Sequence, residues 1–215
     1  MTAKSILVVA GVFAALGQDP YLPARLEAGA PPPPRVHVIT WGHEYLRLSV
    51  DTGGRVQRVV SLTPPAGVGA RLRDAVRAWS FSPAREAGAP VPAGVLVAGV
   101  FRPATLYDPP GLDAPSGDVR SERRDIPIPV VTPAPPHPAS AVGDGVALIE
   151  VEVNQQGTVS TARVATATPG FAAAALRTAR RWQFQPATRG ERPVPSVAYL
   201  VFSFRAPVVG GPNNR

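Results

Sequence analysis

The chain has 215 residues, 45% of them hydrophobic, with 27 prolines, 20 glycines and no cysteine. That is enough for one large domain or two small ones with real cores and Pro-rich connectors, and it excludes disulfides, thiolate metal sites and a cysteine nucleophile. The net charge of +7 comes from scattered arginines, with Lys4 the sole lysine and doublets at Arg123-Arg124 and Arg180-Arg181; without interleaved aromatics this is not a nucleic-acid surface, and no nucleic-acid partner is expected.

Residues 1–17 have the layout of a secretory signal peptide: Lys4, an uncharged apolar run from Ile6 to Leu16, and the small residues Ala15 and Gly17 ahead of Gln18. The run is shorter than the roughly 20 residues that cross a bilayer as a helix. A periplasmic mature protein with no spanning segment is therefore expected; an uncleaved run would leave an N-terminal anchor instead. Residues 18–36, with "APPPPR", read as a Pro-rich linker.

Residues 37–103 form a first unit. "EYLRLSVD" alternates Tyr45 and Arg47 with Leu46, Leu48 and Val50, the pattern of a half-buried strand, and "GGRVQRVVSL" returns as the second arm of a hairpin. Leu72, Ala75, Val76 and Trp79 then recur at helical spacing. Pro83 is expected to stop the helix after Trp79 and Phe81. "GVLVAGVFR" supplies a third strand. Residues 104–138, Pro-rich again, read as a second linker.

Residues 139–207 repeat the plan. "ALIEVEV" and "TVSTARVAT" flank "NQQG", whose Gly157 can take the left-handed conformation of a tight turn. Ala172, Ala175, Leu176, Ala179 and Trp182 mark a helix, and "VAYLVFSFR" closes the unit before a tail at 208–215. Sliding the chain against itself by about 103 positions superimposes Trp79 on Trp182, Phe81 on Phe184, Pro83-Ala84 on Pro186-Ala187 and Phe101-Arg102 on Phe204-Arg205. The expected fold class is α+β: two tandem β-β-α-β units, each a small antiparallel sheet with one helix packed on one face. Trp79 and Trp182 are expected in the two cores rather than at a partner's surface.

Nothing in the chain makes an enzyme. "GHEYLR" lacks the second histidine of a zinc helix and lies on a strand, and His137 sits in a Pro-rich loop. None of His37, His43 and His137 has a histidine at its counterpart in the other unit. No catalytic, cofactor-binding or metal-binding residue is assigned, and no cofactor is expected.

The second unit resembles the C-terminal domain of TonB-type energy transducers. The resemblance rests on "PPHPASA", Gly157, "GFAAAALRTARRWQFQPATRGERPV" and the aromatic terminal strand, and it reaches 37–103 more loosely through Trp79, Phe81, Pro83-Ala84 and Gly88. It implies a periplasmic domain that grips outer-membrane receptors by adding an extended peptide beside its last strand. Carried onto this chain, the partner is a protein or extended peptide, such as a receptor segment. The binding edge is Val197, Ala198, Tyr199, Leu200, Val201, Phe202, Ser203 and Phe204. The family's membrane helix, with its histidine, has no counterpart in the short run from Ile6 to Leu16, so the resemblance carries the binding fold and not the energy coupling. The alternative is a structural or assembly scaffold whose two sheets pair with each other and capture nothing.

Overall fold

The computed structural model describes residues 21–33, 42–63, 69–101 and 124–206. The expected signal peptide and tail, and His37, lie outside them. In chain order the first half holds β1 (Arg25–Ala28), β2 (Gly42–Val50), β3 (Val56–Ser61), α1 (Ala70–Val76), β4 (Ser80–Ser82), β5 (Ala84–Glu86), β6 (Ala89–Val91) and β7 (Ala93–Phe101). The second holds β8 (Ile128–Val131), β9 (Gly145–Val153), β10 (Val159–Ala167), α2 (Ala172–Ala179), β11 (Gln183–Gln185), β12 (Thr188–Arg189), β13 (Arg192–Pro193) and β14 (Ser196–Phe204).

The long strands do not form two sheets. They form a single six-stranded sheet in the order β10-β9-β14-β7-β2-β3. All neighbours are antiparallel except β14 and β7, which run parallel with Ala198–Phe202 against Leu96–Val100. The expected pair of small sheets is corrected here, and the reason lies in the third strands. Both carry apolar residues on both faces, so each gains by having neighbours on both flanks and helices or straps on both sides.

Alternate side chains of β7 and β14 point to opposite faces of the sheet, and each face carries its own core. The helices therefore sit on opposite faces. Leu96, Ala98, Val100, Ala198, Leu200 and Phe202 pack in the α2 core with Trp182 and Phe184. Val95, Val97, Val197, Tyr199 and Val201 pack in the α1 core with Trp79 and Phe81. β14 serves both: Tyr199 meets Trp79 and Phe81 at ring-centroid distances of 6.1 and 5.9 Å, and Phe202 meets Trp182 at 6.1 Å.

Each helix ends before its tryptophan, not after it. Trp79 N–H donates to Val76 O and Trp182 N–H to Ala179 O, both at 3.2 Å, so the last turn tightens into i→i−3 bonds. The prolines at 83 and 186 follow the short strands that come next and stop neither helix. Phe81 N–H and Phe184 N–H donate to Gly54 O and Gly157 O at 2.9 and 2.8 Å, joining each hairpin turn to the strand after the helix. Both glycines are left-handed, with φ of 79° and 80°. A Cβ there would lie 1.7 Å from Phe81 O or 1.8 Å from Phe184 O, so only glycine fits.

The two expected linkers contain structure. β1, from 18–36, pairs antiparallel with β4, and β8, from 104–138, pairs antiparallel with β11. Trp79 Nε1 donates to Ala30 O at 3.1 Å and Trp182 Nε1 to Pro133 O at 3.0 Å. Each strap thus closes the core over its own tryptophan, and Ile126 and Thr132 of the second strap are fully buried. Proline is tolerated because a strap strand pairs on one side only.

Candidate functional site

The strand expected to offer an edge has none. β14 pairs along its length with β9, from Ser196 against Val153 to Phe204 against Gly145, and its other flank is taken by β7. All nine of its residues are buried. Val197, Ala198, Tyr199, Leu200, Val201, Phe202, Ser203 and Phe204 form the centre of the molecule rather than its rim, and the edge assignment is corrected accordingly. The aromatic, β-branched composition of this strand reflects burial on both faces.

The outermost strands of the sheet are β10 and β3. β10 is the longer, nine residues against six, and is largely exposed, with Val164 38% accessible. Its pairing with β9 shifts register between Val159 and Thr161 and between Val164 and Thr166, leaving Thr161–Val164 as an undistorted run. Such irregularities limit uncontrolled edge pairing without abolishing it.

Three polar clusters tie the sheet to its surroundings. Glu44 on β2 is fully buried and accepts from Arg73 Nη1 of α1 at 2.6 Å and from Ser61 Oγ at 2.8 Å. Arg47 donates from Nε to Asp125 Oδ1 at 3.0 Å, with a second bond from Nη2 to the other carboxylate oxygen. Glu150 on β9 accepts from Arg25 Nη1 at 2.6 Å, from Arg163 Nη2 and from the Tyr199 hydroxyl at 3.1 Å. Burial, followed by the neighbouring Glu150 charge, pushes the Tyr199 phenol well above its ordinary value, and its oxygen accepts from Leu26 N–H at 2.6 Å. The Arg25 hydrogen bond holds Glu152 below the usual carboxylate range.

The two described histidines lie apart in packed surroundings. His43 is pulled down to about 4 by burial, its ring 5.8 Å from Tyr45. His137 Nε2 is 2.9 Å from Gly143 O, and its ring meets Phe171 edge-on at 5.3 Å. Among the described residues no group of three or more His, Cys, Asp or Glu is placed to hold a metal. No helix of the described residues is long and apolar enough to cross a membrane.

A groove of about 460 Å³ lies between the start of the first strap and the β9–β10 turn, walled by Tyr21, Leu22, Arg25, Glu152 and Gln156. Reading 18–36 as a linker hid this groove; the alternation in "RLEA" was the signal that a strand crosses there.

No curated protein matches the chain. The family model described as Gram-negative bacterial TonB protein C-terminal matches residues 135–206, which span β9 to β14, so the second half is similar to that family.

Proposed function

We propose that the chain is an exported, periplasmic, non-catalytic protein-binding module built from two copies of one β-β-α-β unit, and that it takes an extended segment of its partner at β10. The family points to outer-membrane receptors as the class of partner. Energy transduction is not part of this reading. The observation that carries it is the contrast between the two strands: β14 is paired on both flanks, whereas β10 is the longer of the two outermost strands of the sheet. Each unit occupies the flank where a TonB-type domain would add a foreign strand, so strand addition moves to the outer rim.

Photo-crosslinking groups placed singly at Ser160, Thr161, Arg163 and Val201 in cells test this. Adducts to outer-membrane protein are expected at the first three and not at Val201. Proline at Ala162 or at Arg163 points its missing N–H outward in one case and toward β9 in the other. The outward variant is expected to fold and to lose the adduct. Adducts that survive both prolines, or silence at every β10 position, overturn strand capture. The parallel pairing of β7 with β14 favours a second reading, an internally paired scaffold that captures nothing, and silence at β10 is the result it expects.

A further inference from the structure

The two halves share backbone register but carry opposite charges at matched positions. Arg47 on β2 has Glu150 on β9 as its counterpart, and Glu86 on β5 has Arg189 on β12. The pairings cross between halves. Arg47 of the first half holds Asp125 of the second strap, and Glu150 of the second half holds Arg25 of the first. Glu86 and Arg189 meet each other directly, with Nη2 at 2.9 Å from Oε2.

We propose that the seam between the halves is a heterotypic recognition surface: first half and second half fit as unlike partners, and charge excludes pairing of like halves from two chains. Second-half pairing would set Ile128, the counterpart of Arg25, beside Glu150, which is 4% exposed. It would also set Pro129, which lacks an N–H, where Leu26 donates to the Tyr199 hydroxyl. First-half pairing would set Leu22, the counterpart of Asp125, beside Arg47, which is 8% exposed. First-half pairing leaves the buried Arg47 without its carboxylate, whereas second-half pairing takes Arg25 from Glu150, which keeps only Arg163 of its own half, and takes the backbone donor from the Tyr199 hydroxyl; losing a partner of a buried charge costs more than an exposed ion pair gains. It would also bring Glu86 against Glu86, or Arg189 against Arg189. Even the uncharged seam positions follow the code: Tyr199, which needs Glu150 and Leu26, has Leu96 as its counterpart, and Leu96 asks nothing of Arg47 or Pro129. The partner that fits the seam is therefore the other half of the same chain, and the protein closes on itself as a monomer.

The inference rests on the two-copy reading and on the seam, not on strand capture, so silence at β10 leaves it standing. It is tested on the full chain by charge reversal. Arg47→Asp alone and Asp125→Arg alone are expected to speed hydrogen exchange at 96–100 and 198–202 by about tenfold or more, and the double reversal to return it close to the wild-type rate. Glu86→Arg, Arg189→Glu and their double form an exposed cycle that leaves the fold intact, with shifts of about twofold. Sedimentation of the wild type is expected to show monomer at all concentrations. Doubles no slower to exchange than the singles in both cycles, or a wild-type dimer joined through β7 or β14, overturn the proposal.

Discussion

The junction that Arg47 makes with the second strap and the junction that Glu150 makes with the first are built on one backbone plan and two chemistries. Around Arg47 the neighbours are Asp125 and Ser49. Around Glu150 they are Arg25, Arg163, Tyr199 and, through the tyrosine hydroxyl, the N–H of Leu26. The ladder beneath is the same: Arg47 faces Val60 as Glu150 faces Arg163, and Leu26 faces Phe81 as Pro129 faces Phe184. Backbone register is thus held by few residues, chiefly the tryptophans, the phenylalanines that follow them and the left-handed glycines. The charges rest on that frame and are free to differ, and what they determine is which surfaces meet.

The largest test of that equivalence is removal of a tryptophan. Trp182→Ala and Trp79→Ala, 1% and 3% exposed, are each expected to cost about 3–5 kcal/mol in denaturant unfolding. Because Tyr199 and Phe202 on β14 reach the two rings from opposite faces, each loss should lower exchange protection in both halves. Protection lost in one half alone would mean that the halves unfold separately.

Next come the turns. Gly54→Ala and Gly157→Ala each force a Cβ onto a carbonyl oxygen at a left-handed residue, with an expected cost of about 3 kcal/mol. Similar melting shifts for the two support the shared plan. A shift in only one would confine the constraint to that half.

The smallest effect separates the halves. His43 is held near 4 by burial, below its ordinary value of about 6.5, while its counterpart is Val146, which does not titrate. The unfolded chain binds the proton more readily between those two values, so stability rises with pH across the window and is lost as pH falls from about 6.5 toward 4. A gap of that size is worth about 3 kcal/mol in full, and because solvent still reaches part of His43 the loss should approach about 2 kcal/mol. His43→Leu should flatten the stability profile between pH 4 and 6.5; an unchanged slope would show that His43 is not its source.

Much of this was legible in the sequence. Helical spacing before the tryptophans, alternation in the hairpins and the glycine at 157 led to the right elements, because each reflects contacts close along the chain. The seam was open in the sequence only as the alternative of two sheets pairing with each other, and its strands could not be placed, since it joins Leu96–Val100 to Ala198–Phe202 across the whole linker. Its one clue was misread: "SVAYLVFSF" is apolar at both odd and even positions, which marks a strand covered on both faces and so an interior one. The straps were missed for a different reason. Proline-rich composition reads as linker, but a strand bonded on one side tolerates Pro129 inside it. The candidate rim at β10 carries little signal because edge strands are short of the apolar residues that pattern reading follows.

The central position of β14 has a mechanical consequence. It lies between β9, antiparallel over all nine residues, and β7, parallel over Ala198–Phe202. Tension applied along the strand from the Phe204 end loads both ladders in shear, so their bonds must fail together. A strand pinned on one flank could instead be peeled away, bond after bond. Set between two neighbours, β14 resists being pulled out along its axis better than an edge strand such as β10 or β3 would.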